Sequence, residues 1–335
     1  MKRKKVSLIV LNYNGKEHLK EYFTSVFKQT NLPDEVVMFD NLSTDGSREY
    51  VSKYFPKVKI VTEDRYNTGT ATGSNIGFYH AKGDYVIFQS NDLRLDPHCV
   101  EGLVSMLTRD KKIGIVSSVL VWYHKNPQGL RLLDSAGGML DMYGFGMQNY
   151  PNGRLEDLPD KEEVFFTYGG SFIIRREAFK EAGGFDDRFF TLNDDLDLSW
   201  RVRLMGYKVV YTKKSIVYHK GSATIKKRAW GQKRFWAEKN SIRSFIKNSD
   251  HAHLLKSLPM YIILLFGEIT YFLYRGRISL FIADIKAVLW NLWYLPDTLK
   301  LRRAIQTRRR KNNIDEIMKK TSFKLKFFNV FKQAL

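Results

Sequence analysis

The 335-residue chain contains a single cysteine, Cys99. One cysteine excludes a disulfide framework and any zinc site built from cysteine, and such scarcity is typical of proteins from a reducing compartment. Internal repeats and low-complexity tracts are also missing. The apolar run 6–11 that follows the basic N-terminus is too short for the hydrophobic region of a signal peptide, so we do not expect one. These absences favour a globular protein of a reducing compartment.

Acidic residues are scarce in the last third of the chain. Residues 220–335 contain 25 Lys and Arg against 7 Asp and Glu, whereas residues 1–219 contain 30 against 28. Most of the net charge of +20 therefore lies at the C-terminal end, where Arg308 begins the basic run 308–311. We expect any anionic partner of the protein to bind to the last third of the chain, and anionic lipid head groups are the favoured candidate.

Long uninterrupted apolar runs are absent as well. The stretches 258–274 and 278–295 are mostly apolar, but Glu268 interrupts the first and Asp284 the second. Crossing the hydrocarbon of a bilayer takes about 20 consecutive apolar residues. The many aromatic residues of both stretches favour helices that lie in a membrane interface. A soluble helical hairpin packed on the core and a re-entrant or spanning hairpin are the alternatives.

Strand and helix patterns alternate from residue 6 to residue 107. Apolar runs of β-branched and aliphatic residues predict strands, and apolar residues at helical spacing predict a helix after each of the first three. The alternation predicts a mostly parallel α/β sheet. The pattern weakens over residues 121–165. The predicted strands are 6–11, 35–39, 58–61, 85–89, 113–118, 172–174, 207–211 and 216–218, and two later helices are predicted over 176–182 and 194–205.

Carboxylates stand at the ends of these predicted strands. Asp40 closes the second strand, Asp84 opens the fourth, and Asp92 follows it. Because open α/β sheets bind ligands outside the ends of their strands, we expect these carboxylates to converge on one cleft. Carboxylate oxygens are ligands that suit Mg²⁺ or Mn²⁺. A polar turn is the alternative interpretation of each residue taken alone.

Several separated motifs follow one another along the chain. They are VSLIVLNYNG at 6–15, DNLSTDGS at 40–47, NTG at 67–69, NIG at 75–77, GGS at 169–171, GFD at 184–186, DDLDL at 194–198 and VYH at 217–219. Together they resemble the motifs of the family 2 glycosyltransferases, and among them the rhamnosyltransferase-like members. The resemblance covers about residues 5–225 and implies a GT-A fold, which is a Rossmann-like mixed α/β sheet. It also implies a nucleotide-sugar donor, a divalent cation and inversion at the anomeric carbon.

The resemblance further implies roles for individual residues. Asp195 would be the catalytic base. Asp92 would be the retained metal ligand, with Ser90 in place of the first carboxylate of a DxD motif and His219 as a further contact. The acceptor side would include Gly170, Asp194 and Trp200. The donor nucleotide would lie against Asn12, Asn14, Asp40, Asn67, Gly69, Asn75, Asp84 and Asn91.

The chemistry explains why a carboxylate is needed at residue 195. A sugar hydroxyl is a poor nucleophile, so a base must take its proton while the new bond forms. Asp195 begins a predicted helix, where the positive partial charge of the backbone would keep it ionised. Two positions depart from the family pattern, namely Ser90 and Asp194, which stands where glutamate is usual. The first departure weakens the predicted metal site.

The whole-chain hypothesis is an inverting, metal-assisted glycosyltransferase. Residues 1–225 would form the catalytic domain, and residues 226–335 a helical, basic region that holds the enzyme at the cytoplasmic face of the cell membrane. The acceptor would be a cell-envelope polysaccharide or a lipid-linked glycan. A nucleotidyl transferase is one alternative, but 12–15 lacks the Gly-rich basic loop that a triphosphate needs. A nucleic-acid-binding protein is the other, prompted by the charge.

Overall fold

The computed structural model describes residues 3–221, 229–310 and 318. Strands and helices alternate up to residue 90, short strands interrupt the alternation between there and residue 219, and four helices follow within residues 229–310. The strands are β1 Val6–Asn12, β2 Glu35–Asp40, β3 Val58–Thr62, β4 Tyr85–Ser90, β5 Leu93–Leu95, β6 Ile113–Trp122, β7 Leu133–Ser135, β8 Gly138–Leu140, β9 Gly146–Gln148, β10 Lys161–Glu163, β11 Ser171–Arg175 and β12 Lys208–His219. The helices are α1 Lys16–Phe27, α2 Ser47–Tyr54, α3 Gly69–His80, α4 Cys99–Arg109, α5 Arg176–Ala182, α6 Asp194–Leu204, α7 Trp230–Asn248, α8 His251–Tyr274, α9 Ile278–Trp293 and α10 Leu295–Arg308.

Ten strands form one mixed sheet. Strands β3, β2, β1 and β4 are neighbours and run parallel, as the alternation predicted. Strand β11 then enters antiparallel between β4 and β6, and β6 pairs in parallel with β12. The α/β class and the mixed sheet are therefore confirmed. Because β1, β2 and β4 are parallel, their carboxyl ends share one edge of the sheet.

Both faces of the central strands are buried, which explains why these strands are continuously apolar. In β1, Ile9 contributes to the core on one face, and Leu8 and Val10 contribute to the core on the other. Helix α3 packs on the first face, where Gly77 approaches Ile9 so closely that a Cβ would lie 2.6 Å from its methyl group. A rigid, two-sided core thus fixes the strand ends that carry the polar residues.

Two local predictions are corrected by the structure. The two strands expected over 207–211 and 216–218 are one strand, β12, with a register shift between Thr212 and Ile216. The segment 121–165, which carried little periodicity, contains four short strands, β7 to β10. Strands of three residues are too short for an alternating pattern to be visible in sequence.

The acidic residues that interrupt the two apolar stretches share one partner in α7. The Arg234 guanidinium contacts Glu268 of α8 at 2.8 Å and Asp284 of α9 at 2.6 Å. Both carboxylates are buried, so these ion pairs define the protein-facing sides of α8 and α9. Their opposite sides expose large apolar residues: Leu255, Ile262, Ile263, Phe266, Leu273, Ile278, Ile282, Ile285, Leu289, Leu292 and Trp293. The two stretches are amphipathic helices, as expected for either an interfacial or a packed hairpin.

Length and hydropathy alone would allow one of these helices to cross a membrane. Helix α8 has 24 residues, and 28% of its most apolar window is buried in the protein. Helices α9 and α10 are long and apolar enough to cross a membrane only if they are counted as one segment, and they are bent by 66° relative to each other. These are the candidates within the described ranges 3–221 and 229–310.

Candidate active site

The carboxyl ends of β1, β2 and β4 are joined by a chain of side-chain hydrogen bonds. Asn12 and Asp40 are paired in register, and the Asn12 amide donates to the Asp40 carboxylate at 2.9 Å. The Asn91 amide in turn donates to the Asn12 side-chain oxygen at 2.6 Å. Asn14 belongs to the same edge, since its side-chain oxygen accepts from the backbone N–H of Thr44. The structure thus brings together four of the residues predicted for the donor nucleotide.

The loop before α3 is fixed to the same edge. The Asn41 side chain donates to the Gly69 carbonyl at 3.0 Å and accepts from the Thr68 N–H at 2.8 Å. The Asn67 side chain accepts from the Gly69 N–H at 2.9 Å. Gly69 has a φ of +77°, and a Cβ there would lie 2.0 Å from the Phe190 carbonyl oxygen. Only glycine fits this position, which places the loop directly against residue 190.

Thr70 links this loop to the start of α6. Its N–H donates to the Phe190 carbonyl at 2.6 Å, and its hydroxyl donates to the Asp194 carboxylate at 2.7 Å. The predicted donor loop and the predicted base are therefore neighbours in space although about 125 residues separate them in sequence. Nothing in the sequence assigned a role to Thr70.

Asp195 follows at the first turn of α6. Its carboxylate accepts from the Gly169 N–H at 2.9 Å and from the Leu196 N–H at 2.7 Å. These donors favour the ionised form. Burial and the adjacent Asp194 carboxylate oppose them and raise the pKa of Asp195 to about 7. Burial and Asp194 therefore oppose the effect of the helix start that was expected to keep Asp195 ionised, and the group can exchange a proton near neutral pH.

A second group of ionisable side chains lies at the end of β4. The His219 ring contacts Asp92 through Nε2 at 3.3 Å and Asp134 through Nδ1 at 2.6 Å. Burial alone would lower the pKa of His219, but the two carboxylates outweigh it and raise the pKa to about 9. Burial would likewise raise the pKa of Asp92, but the His219 hydrogen bond outweighs it and holds the pKa below its usual value. The sequence analysis missed Asp134, which lies in the weakly periodic segment.

These residues fit a divalent cation. Asp92 is buried, and its Oδ1 atom has no hydrogen-bond partner among the described residues. A buried carboxylate oxygen without a partner is costly unless a ligand satisfies it. Asp134 holds the other nitrogen of His219, the usual support for a metal-binding histidine. Within residues 3–221, 229–310 and 318, no three His, Cys, Asp or Glu side chains cluster closely enough to hold an ion alone.

Ser90 and Gly170 connect the two groups. The Ser90 N–H donates to the Gly170 carbonyl at 2.8 Å, and a Cβ on Gly170 would lie 2.4 Å from the Ser90 hydroxyl. Gly169, the preceding residue, donates its N–H to Asp195. Burial, and after it the nearby carboxylates of Asp134 and Asp195, raise the pKa of the Tyr168 hydroxyl. Residues 168–170, which precede β11, therefore bring the predicted base close to the candidate metal ligands.

Comparison with known proteins decides the family. The sequence profile described as "Glycosyl transferase family 2" matches residues 7–183, slightly more than half of the chain. The chain belongs to glycosyl transferase family 2.

Curated relatives and solved structures agree with this assignment. The chain is 27% identical over 241 residues to the N-acetylglucosaminyl-diphospho-decaprenol L-rhamnosyltransferase of Mycobacterium tuberculosis, covering 65% of this chain and 76% of the relative. It is 23% identical to the O-antigen chain rhamnosyltransferase WbaN of Salmonella anatum, covering 76% and 83%. The mannosyltransferase PcManGT of Pyrobaculum calidifontis, solved with GDP-Man and Mn²⁺, superposes with a TM-score of 0.53 at 19% identity, covering 88% of both chains. This last similarity shows a shared fold.

Three residues predicted for the site of this glycosyltransferase lie elsewhere. Asp84 is at the amino end of β4, on the opposite edge of the sheet, where it accepts from the Lys5 N–H at 2.9 Å. Trp200 is 1% exposed and packs edge-on against Phe165 in the core, so it cannot contact an acceptor. The Asn75 side chain hydrogen-bonds to both the N–H and the carbonyl of Phe185, so it supports the turn at that residue.

Helix α7 holds the segment that leads into Asp195, the predicted catalytic base. The buried Asn240 amide donates to the carbonyls of Thr191 and Leu192 at 2.9 and 2.7 Å. Asn193 donates back to the Ala237 carbonyl and the Ser241 hydroxyl. Leu192 and Asn193 both have left-handed backbones, with φ of +70° and +59°. A left-handed leucine costs about 1 kcal/mol or more, so the segment needs this support.

The buried contacts of α7 also bear on the proposed division of the chain. Ser244 and Asn248 both donate to the Asp197 carboxylate inside α6, at 3.0 and 2.8 Å. Arg243 and Lys247 contact Asp186 in the preceding turn. The predicted boundary between residues 225 and 226 lies outside the described residues. Helix α7 nevertheless packs as part of the catalytic domain, not as an appendage.

Replacing Asn240 with alanine tests the support of the base. The change leaves two buried carbonyls without their donor, so we expect the free energy of unfolding to fall by about 1–3 kcal/mol. Loss of positional control over Asp195 should lower kcat roughly tenfold to a hundredfold. Denaturant unfolding and steady-state kinetics measure the two effects. Gln232→Ala, on the exposed side of the same helix, is the matched control and should change neither. A variant that loses stability but keeps kcat would show that α7 only supports the fold.

Proposed function

We propose that the protein transfers a sugar from a nucleotide-diphosphate donor to a glycan hydroxyl with inversion at the anomeric carbon. The observation that carries this proposal is the placement of Asp195. Its carboxylate has a pKa raised to about 7 and is joined through Asp194 and Thr70 to the loop that precedes α3. A partly buried base beside the donor loop is what single displacement requires.

In the proposed reaction, Asp195 takes the proton of the acceptor hydroxyl while the acceptor oxygen forms its bond to the anomeric carbon. The bond from that carbon to the diphosphate oxygen breaks at the same time, and the electron pair leaves with the nucleoside diphosphate. Attack from the face opposite to the leaving group inverts the configuration. The hydrogen bond from Gly169 keeps the Asp195 carboxylate oriented.

We further propose that the enzyme uses Mg²⁺ or Mn²⁺. Asp92 would hold the ion, and His219 would join it by giving up its Nε2 proton when the ion binds. Ser90 occupies the sequence position of the missing carboxylate, and Asp134 orients His219. When bound, the ion would offset the charge that develops on the diphosphate. The presence of Mn²⁺ in the PcManGT structure supports this choice.

The donor and acceptor classes follow from the relatives. Two rhamnosyltransferases match most of the chain, one named for a diphospho-decaprenol acceptor and one for the O-antigen chain. We therefore propose dTDP-rhamnose or a UDP-sugar as donor and a lipid-linked glycan or cell-envelope polysaccharide as acceptor. The residues that would face the nucleotide are Asn14, Asn67, Asn91 and the backbone at Gly69. Asn12 and Asp40 were also predicted to contact it, but both side chains are buried and would instead position Asn91 and the strand ends.

A donor panel tests the proposed function. Purified protein is incubated with UDP-, dTDP- and GDP-sugars, with and without Mn²⁺, and binding and slow hydrolysis of each donor are measured. We expect one nucleotide class to bind at least tenfold more tightly than the others, because a site that hydrogen-bonds a ligand strongly rejects one lacking the matching groups. Failure of every nucleotide sugar to bind would contradict the proposal.

We also propose that α8 and α9 attach the enzyme to the cytoplasmic face of the cell membrane. Their outward sides expose Phe266, 67% accessible, and Trp293, 81% accessible, together with other apolar residues. A contiguous apolar surface of this kind is unusual on a free monomer. The excess of basic residues after position 219 matches the charge of anionic lipids.

The double variant Phe266→Ser, Trp293→Ser tests this attachment. Burying each ring in the interface should contribute on the order of 1.5–3 kcal/mol, so the variant should partition to vesicles at least tenfold less than the wild type. Sedimentation with vesicles containing phosphatidylglycerol measures the partition. Tyr79→Ser, which removes an 84% exposed ring from α3, is the matched control and should not change it. Unchanged partition of the double variant would rule out α8 and α9 as the attachment surface.

A further inference from the structure

A cavity lies outside the candidate active site. It has a volume of about 630 Å³ and is bounded by the α5–α6 turn, by α7 and by the elbow between α9 and α10. We call it the α7 cavity. The residues proposed above for the donor, the metal and the base are not among the described residues that line it. Its volume is that of a small-molecule site.

The lining of the α7 cavity is cationic and aromatic. Six Lys and Arg line it against four Asp and Glu, and Trp290 and Tyr294 form part of its wall. Most of the buried cations have carboxylate partners: Arg243 contacts Asp186 at 2.8 Å and Asp297 at 2.7 Å. The excess positive charge is therefore not spread evenly over the lining.

Lys239 is the exception among these cations. It is only 4% exposed, yet its ammonium donates to a neutral group, the Arg188 carbonyl, at 2.8 Å and lies 4.5 Å from the centre of the Trp290 ring. Among the described residues, none of the ion pairs includes it. Burial lowers the pKa of Lys239 to about 8. The Asp186 carboxylate acts on Lys239 only from beyond ion-pair distance. A buried ammonium without a contacting counter-charge is costly, and an anion in the cavity would offset that cost.

We propose that the α7 cavity binds the phosphate group of a lipid, with the ammonium of Lys239 as its counter-charge. A phosphate offers several acceptor oxygens, which the ammonium and the nearby guanidinium groups can satisfy.

The position of the cavity selects a lipid as the source of the phosphate. Trp290 and Tyr294 line the cavity, whereas Leu292 and Trp293, in the same turn of chain, are exposed on the outward apolar side. A head group could therefore enter the cavity while its acyl chains stay at that surface. The choice of a lipid as the source of the phosphate rests on the membrane attachment proposed above. The binding of a phosphate group in the cavity does not depend on that attachment.

The test titrates the full-length protein with dihexanoyl phosphatidic acid below its micelle concentration and, separately, with inorganic phosphate. We expect the soluble lipid to bind more tightly than inorganic phosphate. Lys239→Met should weaken binding of the lipid about tenfold or more, and Lys300→Met, which removes an exposed lysine of α10, should not change it. Asp297→Asn should strengthen binding, because it removes the carboxylate that neutralises Arg188 and Arg243. A damaged fold would not produce a gain.

Equal affinity of the wild type and Lys239→Met for the lipid would overturn the proposal, as would equal affinity of the wild type for the lipid and for inorganic phosphate. Failure of the proposed sugar transfer would appear in the donor panel, which does not depend on the lipid titration. Failure of the proposed membrane attachment would appear as an absence of vesicle binding by a protein that still binds the soluble lipid.

Discussion

Asp195→Asn should lower kcat by about 10²–10⁴-fold, the usual contribution of a general base. The N–H groups of Gly169 and Leu196 bond to different oxygens of the carboxylate, so the asparagine side chain can keep only one of these two hydrogen bonds. Its shape and volume are otherwise those of aspartate, so the fold should persist. It cannot take the proton of the acceptor hydroxyl. Steady-state transfer kinetics measure the loss, and calorimetry with the donor should give a Kd close to that of the wild type. Transfer at the wild-type rate would refute the role of Asp195.

The pH dependence of the wild type gives an independent test of the same residue. The base must be ionised, so transfer should fall as the pH drops through the pKa of Asp195, about 7. Asp194 is one cause of that raised pKa, although burial is the larger. Asp194→Asn removes the neighbouring charge and should shift the acidic limb of the profile to lower pH. The two carboxylates titrate as a pair, so the shift and not the absolute midpoint is the decisive quantity.

Asp92→Asn should lower the affinity for Mn²⁺ on the order of 100-fold, since even residues that only orient a metal ligand contribute 10–100-fold. Asp92 is the buried carboxylate at the end of β4, and its Oδ1 atom has no hydrogen-bond partner among the described residues. Electron paramagnetic resonance of free Mn²⁺ measures the affinity without any need for turnover. Asp134→Asn, which weakens the support of His219, should give a smaller loss.

Asp160→Asn is the matched control for this series, because Asp160 is an exposed carboxylate beside β10. It should leave Mn²⁺ affinity unchanged. Unaltered Mn²⁺ affinity in Asp92→Asn would show that the end of β4 is not the metal site. Loss of Mn²⁺ affinity without loss of transfer would show instead that the ion is dispensable for the reaction.

Helix α7 connects the region proposed to bind membranes with the catalytic base. Asn240 fixes the segment before Asp195, and Arg234, on the same helix, anchors α8 and α9. A single rigid helix therefore touches both the active site and the proposed membrane-facing layer. Helix α7 thus joins the predicted catalytic domain to the two helices that follow it.

The sequence by itself determined the class of the fold and the chemistry. Alternating apolar runs predicted the parallel strands β1 to β4, because strands buried on both faces must be apolar throughout. The motifs at 12–15 and 40–47 lie inside the profile match at residues 7–183, which confirms the family, whereas the motif at 194–198 lies beyond that match. The carboxyl ends of β1 and β2 meet as expected, since parallel neighbours share one edge.

Only the tertiary structure decided which polar residues work together. Asp84 and Asp92 flank the same strand, but six residues of extended chain place them at opposite edges of the sheet. Trp200 follows Asp195 by five positions, so the turn of the helix directs it into the core. Asp134, Thr70 and Asn240 lack any local signal, because each acts on a residue far away in sequence. Such contacts are set by packing, which a one-dimensional pattern does not record.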